Sequence, residues 1–255
     1  MKEYGMKRFE GKCVFVTGGA GYIGSELAER FVAEGARVCV ADLDKERIDA
    51  VCAPFGGQMF GVVCDVSDSE QVDAAIAGAV CELGGLDILV HCAGGSARSD
   101  IKPLVNQSDE VLNRVLGVNL YGALYTNRAA ARYMAAEGKG GRIINISSAV
   151  GLNGLAGCAD YAAAKGGVIA MSKALAKELG GYGITVNCAC FGVVRRPDVM
   201  GNESYGLNTN FLGKQCTAAD CAALVAYLAS EEAGFVTGAN YVLDGGRTLA
   251  MKGTD

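Results

Sequence analysis

The chain holds a single histidine, His91, so a multi-histidine metal site is excluded. A Ser-His-Asp triad would have only that residue to use. Its place at the end of an apolar run predicts a structural hydrogen bond rather than catalysis. There are only three prolines, and no Pro- or Ser-rich stretch marks a linker between domains. No apolar run approaches the roughly 20 residues that cross a bilayer. Residues 1–10 are mixed and charged, so they do not read as a signal peptide. Basic residues are not in excess either. A net charge of −5 and an isoelectric point near 5.1 argue against nucleic acid as a partner. Eleven cysteines are present, but an odd number scattered through predicted strands and helices is no disulfide framework. Cys13, Cys39, Cys64 and Cys92 fall in or beside apolar strands, where a thiol acts as a small hydrophobe. The closest pair, Cys188 and Cys190, is expected on opposite faces of its strand, and no metal site is expected. Heavy thiol use fits a reducing compartment, so the cytoplasm is the expected location.

What is present is a long alternation of strand-like and helix-like runs. A chain of 255 residues that is 51% hydrophobic can bury a large core and suits one α/β domain. Strands are predicted over 12–17, 37–41, 59–64, 86–91, 142–147, 184–190 and 240–243. Between them lie helical patterns over 21–34 and from Ser108 to about residue 137, and one with Tyr161 near its start. Two more helices open at Ser67-Asp68-Ser69-Glu70 and Thr217-Ala218-Ala219-Asp220, both with capping-box spacing. Apolar strands separated by helices predict right-handed crossovers and a parallel sheet covered on both faces. The expected fold is thus α/β, a doubly wound, Rossmann-like parallel sheet of about seven strands. It forms a single domain over residues 1–255, with 1–10 as a tail. Residues 94–107 and 191–216 are the least regular segments, and both follow strand ends, where such folds bind ligands. The second is long enough to expect a loop over substrate.

Two features carry chemistry. The run Thr17-Gly18-Gly19-Ala20-Gly21-Tyr22-Ile23-Gly24 contains G-x-G-x-x-G directly after an apolar strand and at a helix start. Glycines there let backbone approach a pyrophosphate, and the helix N-terminus adds N–H groups and positive potential. Gly18, Gly21, Tyr22, Ile23 and Gly24 are therefore cofactor candidates. Asp42 ends the second strand, eighteen residues after Gly24. A carboxylate there can accept from the ribose hydroxyls of NAD and would repel a 2′-phosphate, so NAD is expected over NADP. Asp42 or Asp44 could instead cap a helix. Asp65 is placed to reach the adenine or to cap the helix that follows it. The second feature is Tyr161 with Lys165, four residues apart and on one side of a helix. A free phenol ionises near pH 10, and a nearby ammonium makes it more acidic. Such a pair can move a proton as hydride moves.

In order and spacing, these features resemble the short-chain dehydrogenase/reductase family, in its single-domain branch, over roughly residues 10–247. The resemblance rests on the glycine loop, Asp42, Cys92-Ala93-Gly94 and Asn119 in Val118-Asn119-Leu120. It rests further on Ser147-Ser148, the Tyr161/Lys165 pair and Asp244-Gly245-Gly246. It implies that Tyr161 is the general acid/base and that Lys165 assists it while bonding the nicotinamide ribose. Ser148 would hold the substrate oxygen, and Asn119 a water linking Lys165 to solvent. Val66, Cys92, Ala93, Gly94, Gly192 and Val194 would join the cofactor contacts. The resemblance also implies a homotetramer formed by paired long helices. Some positions depart from the family pattern. Tyr22 replaces a glycine, giving a spacing nearer the extended branch of epimerases and dehydratases. His91-Cys92 stands where Asn-Asn is common, Phe191 replaces a proline, and Arg196 stands where a threonine often bonds the carboxamide. The implied activity is NAD(H)-dependent interconversion of a secondary alcohol and a ketone. Residues 95–102, 150–158 and 191–216 would wall the substrate. Arg98, Arg195 and Arg196 would suit an anionic or polyhydroxylated substrate, unless they are simply solvated. The alternatives are an enzyme like the sugar-nucleotide epimerases and dehydratases, or a non-catalytic dinucleotide-binding regulator.

Overall fold

The structure, a computed structural model, describes residues 7–95, 101–196 and 209–249. Seven parallel strands form one sheet in the order β3-β2-β1-β4-β5-β6-β7. They are β1 Cys13–Thr17, β2 Arg37–Asp42, β3 Met59–Val63, β4 Ile88–His91, β5 Gly141–Ser148, β6 Ile184–Phe191 and β7 Asn240–Leu243. The chain starts at the centre, winds outward through β2 and β3, and returns to place β4 beside β1. That reversal leaves a crevice beyond the ends of β1 and β4, where neighbouring connections run to opposite faces.

Alternation along each strand divides the core in two. Val14, Val16, Val38, Val40, Ile88 and Val90 pack on one face with Leu27 and Phe31. Those two lie on α1 (Tyr22–Ala33), which packs beside α8 (Ala218–Ala229). Phe15, Cys39, Leu89 and Ile143 face the other way, toward α3 (Ser69–Leu83), α5 (Gly122–Glu137) and α7 (Ala159–Leu179). Covering both faces is why the strands read as unbroken apolar runs rather than alternating ones. Phe31, 1% exposed, contributes about 2–3 kcal/mol to the first layer.

Local chemistry sets the helix ends. α2 (Lys45–Cys52) starts at Asp44, whose carboxylate accepts from the N–H groups of Glu46 and Arg47. Asp44, not Asp42, is therefore the cap. α3 starts one residue later than a Ser67 capping box predicts, because Asp68 caps the N–H groups of Glu70 and Gln71. The Thr217–Asp220 box forms in both directions, with the Asp220 carboxylate accepting from Thr217 N–H at 2.8 Å. The helix expected from Ser108 begins there, since Ser108 caps α4 (Asp109–Leu116), but it is not continuous. A π turn over Gly117–Tyr121 separates α4 from α5 and carries Asn119. Gly122 follows it so closely against Val66 that a Cβ would lie 2.8 Å from the Val66 side chain. A short helix, α6 (Val150–Asn153), follows β5.

All eleven cysteines are free. The expectation that Cys188 and Cys190 face opposite ways is overturned. Two residues apart on β6, they lie on one face and are buried together with Val168 and Ile169 of α7. Among the described residues no cluster of His, Cys, Asp or Glu is arranged to hold a metal ion, and no helix is long and apolar enough to cross a membrane.

Candidate active site

A cleft of about 380 Å³ opens beyond the ends of β1, β2 and β4. Its lining includes Gly18, Gly21, Tyr22, Ile23 and Gly24 of the glycine loop and the start of α1. Asp42 and Leu43 follow β2, Asp65 and Val66 follow β3, and Cys92, Ala93 and Gly94 follow β4. These are the predicted cofactor residues except Gly192, Val194, Tyr161 and Lys165, which do not line it. Gly192 N–H donates to Leu243 O, and Val194 is buried in the apolar core. Arg47 and Arg196 do line the cleft. Arg98 lies outside the described residues, as do 197–208 of the expected substrate loop.

The glycines are required sterically. Gly18 has φ +64°, and a Cβ there would lie 2.8 Å from the Ala93 backbone. A Cβ on Gly24 would stand 2.0 Å from Gly18 O, so the start of α1 sits directly on the loop. No side chain caps the first N–H groups of α1, whose N-cap is Gly21. An uncapped helix N-terminus over a glycine loop is arranged to receive a phosphate.

At the cleft's outer end, Asp42 accepts from Ala20 N–H at 3.0 Å and from Leu43 N–H at 2.8 Å. Arg47 Nη2 donates to Ala20 O at 2.9 Å, so the Ala20 residue is held from both sides. Arg47 is not legible in the sequence because α2 shows no apolar periodicity. The signal available was its place in the helical turn opened by the Asp44 cap. Asp65 neither caps α3 nor stands free, since its carboxylate accepts from Ser67 N–H and Oγ at 2.9 and 2.7 Å.

At the inner end, Lys165 lies 3% exposed in α7 and donates to Ile146 O at 3.1 Å. Its ammonium stands 5.9 Å from the Tyr161 ring centre. It also stands directly behind Gly94, where a Cβ would come within 3.0 Å of Nζ. Burial pushes the Lys165 pKa below the ordinary lysine value. Ser147 Oγ donates to Lys165 O at 2.8 Å and fixes the second turn of α7 against β5. Ser148, half-buried at the end of β5, accepts from Val150 N–H at 3.2 Å. The Asp160 carboxylate accepts from Tyr161 N–H at 2.7 Å.

Asn119 is committed to the backbone around it. Its Nδ2 donates to Gly95 O and Val115 O, each at 2.9 Å, and its Oδ1 accepts from Gly95 N–H at 3.0 Å. The side chain thus holds the segment after β4 in place. Cys92 stands between the two ends of the site, and burial pushes its thiol up to about 12. His91 bonds Thr17, which makes it structural, as the sequence predicts.

Comparison with known proteins finds relatives over nearly the whole chain. The family model described as enoyl-(acyl carrier protein) reductase matches residues 18–248. (+)-Borneol dehydrogenase 1 of Salvia officinalis is 36% identical over 95% of this chain and 96% of its own length. A 2-dehydro-3-deoxy-L-rhamnonate dehydrogenase (NAD(+)) of Sphingomonas sp. (strain SKA58) is 34% identical over 94% of this chain and 97% of its own. Among solved structures, a short-chain type dehydrogenase/reductase from Mycobacterium ulcerans superimposes with a TM-score of 0.88. It is 29% identical and covers 94% of this chain and 91% of its own.

Proposed function

The chain belongs to the short-chain dehydrogenase/reductase family, and from that premise we propose that it is an NAD(H)-dependent enzyme interconverting a secondary alcohol and a ketone. The observation that carries this reading is the buried Lys165 beside Tyr161 and directly behind Gly94, which lines the cleft. A buried ammonium beside a phenol favours the phenolate, so Tyr161 can take a proton from an alcohol near neutral pH and return one to a ketone. Ser148 holds the substrate oxygen next to it. Asn119 keeps the segment after β4 against Lys165, so the two ends of the site stay in register.

The residues present fit a dinucleotide. Gly18 and Gly24 make a cradle that a Cβ would fill, α1 offers uncapped N–H groups, and Asp42 stands at the tip of β2. When bound there, NAD supplies the hydride acceptor of the oxidation. NAD rather than NADP is supported by the Asp42 carboxylate, which accepts ribose hydroxyls and repels a 2′-phosphate. A relative named as NAD(+)-dependent points the same way. The working form is a cytoplasmic homotetramer.

The test is NAD reduction measured across sugars, polyols, hydroxy acids and cyclic alcohols, with Tyr161→Phe beside the wild type. Turnover confined to the wild type is expected, and turnover retained in Tyr161→Phe removes the tyrosine from the mechanism. Light scattering checks the assembly, which a monomer would contradict.

A further inference from the structure

Thr17, His91 and Asn145 stand in register across β1, β4 and β5, and all are at most 1% exposed. Their hydrogen bonds leave one arrangement of protons. Thr17 Oγ1 lies 3.2 Å from Cys92 N and 3.1 Å from Ala93 N, and both of those groups can only donate. A hydroxyl has two acceptor lone pairs and one proton, so its own proton goes to His91 Nδ1, 3.1 Å away. Burial and the Lys165 charge hold His91 down to about 3, so its ring is neutral and carries its proton on Nε2. His91 thereby fixes the Thr17 hydroxyl, and Thr17 fixes the turn that lines the cleft.

The Nε2–H is buried and has no partner among the described residues. Leaving such a donor unsatisfied costs about 1–3 kcal/mol. The two ring nitrogens point in nearly opposed directions, so with Nδ1 on β1 the Nε2–H points away from β1. It enters the layer between the sheet and helices α5 and α7. There Asn127 and Asn145 bond one another at 2.7 and 2.9 Å, and Asn145 also donates to Ser172 Oγ at 3.0 Å. Lys165 brings three N–H donors to the same layer, and among the described residues it donates to Ile146 O alone. The His91 Nε2–H and two of the Lys165 N–H groups reach no acceptor among the described residues. A water oxygen is the small group that accepts from two of them.

We infer that His91 is a fixed Nε2–H tautomer donating to a buried water beside Lys165, which makes it a positioning residue for that lysine's charge. This rests on the assignment of Lys165 as the helper of Tyr161. A water that accepts from the ammonium offsets the burial that disfavours its charge. The ionisable groups around Lys165 are His91 and Cys92 at the end of β4, Cys188 and Cys190 on β6, and Tyr161 on α7 itself. None is a carboxylate. Burial holds the Cys92 thiol up, and contact with Cys190 together with burial does the same for Cys188. Contact with Cys188 holds the Cys190 thiol down, so Cys190 and the water are the two groups that favour the Lys165 charge.

Because His91 is the only histidine, protein grown with ¹⁵N-histidine gives one imidazole to read by NMR. The expected result is the Nε2–H tautomer, unchanged from about pH 5 to 9, with a cross-peak from that proton to bound water. The cross-peak should weaken or shift in Lys165→Met. The Nδ1–H tautomer, a mixture, a midpoint near the ordinary histidine value, or a cross-peak indifferent to Lys165→Met would overturn the inference. In the pH profile of alcohol oxidation, His91→Leu should move the Tyr161 limb upward by about one pH unit, roughly a tenfold loss at fixed pH on that limb. His91→Asn keeps an N–H donor and should restore it. Equal midpoints in all three overturn the positioning role. A wild type that is silent with every alcohol sinks the redox reading instead, and the NMR result still decides His91.

Discussion

Asp42 Oδ2 accepts from Ala20 N–H at 3.0 Å, which ties the tip of β2 to the loop that begins the cofactor cleft. One carboxylate therefore holds the loop, and the proposed NAD preference rests on the same group. Asp42→Ala should lower the kcat/KM ratio of NAD to NADP by roughly tenfold or more, about 1.4 kcal/mol of lost discrimination. Affinity for NAD itself should fall as well, because Ala20 loses one of its two restraints. A ratio unchanged from wild type would remove the NAD assignment.

Gly94 separates site geometry from simple backbone strain. Its φ is +144°, and a Cβ would lie 2.5 Å from Asn119 Oδ1 and 3.0 Å from Lys165 Nζ. Gly84, the C-cap of α3, also has positive φ, at +83°, but a Cβ there meets nothing within 4 Å. The conformation costs Gly84→Ala roughly 1–2 kcal/mol and Gly94→Ala, in a nearly glycine-only region, about 1–3 kcal/mol. Only Gly94→Ala displaces Asn119 and Lys165, and displacement on the order of 1 Å can cost about 100-fold in rate. Turnover and melting temperature measured together should show Gly84→Ala less stable yet active, and Gly94→Ala nearly inactive. Comparable activity in the two would mean that the Lys165–Gly94–Asn119 packing does not matter to the reaction.

The sequence is legible where one physical cause acts alone. β7 and the Thr217–Asp220 capping box stand where pattern and cap chemistry place them, and the strands are right to within two residues at each end. α2 is not legible because Ile48 is its only buried residue, which leaves no apolar stripe. The π turn at Gly117–Tyr121 is not legible because its cause is not local. Asn119 is drawn to Gly95, twenty-four residues earlier, and no periodicity encodes that pairing. Cys188 and Cys190 share a face because a strand repeats every two residues. In the site, glycines and carboxylates at strand ends announce themselves by residue type. Arg47 does not, because its role depends on α2 folding back toward Ala20.

The Thr217 cap tests how far local chemistry contributes to stability away from the site. Its hydroxyl accepts from Asp220 N–H at 3.2 Å, and the Asp220 carboxylate returns the bond to Thr217 N–H. Thr217→Ala should destabilise by about 1 kcal/mol, and Thr217→Ser by much less. Denaturant unfolding reads the difference. Equal losses in the two variants would mean that the methyl, not the hydroxyl, stabilises this end of α8.

The last prediction concerns Glu34, a 1%-exposed carboxylate at the C-terminal end of α1. Arg8 reaches it with two hydrogen bonds, at 2.6 and 2.8 Å, and Arg30 binds it from one helical turn away. Burial alone would raise its pKa, but hydrogen bonds from Arg8 and then Arg30 outweigh that, and the net shift is downward. A carboxylate with a lowered folded pKa adds stability that is fully present above its unfolded pKa, about 4.3, and is lost as pH falls through the folded value. Removing it at pH 7 takes the buried anion away from both guanidiniums, and Arg8 keeps only the more distant, exposed Glu232. Glu34→Gln should therefore cost about 3 kcal/mol. At roughly 2–4 °C per kcal/mol for a domain of this size, its melting temperature should fall by about 6–12 °C. Protonated wild type resembles the glutamine variant, so the gap should narrow steadily below about pH 4. Melting curves of both proteins between about pH 3 and 8 measure it. A gap that stays constant across that range would mean that packing, rather than the charge of Glu34, stabilises this junction.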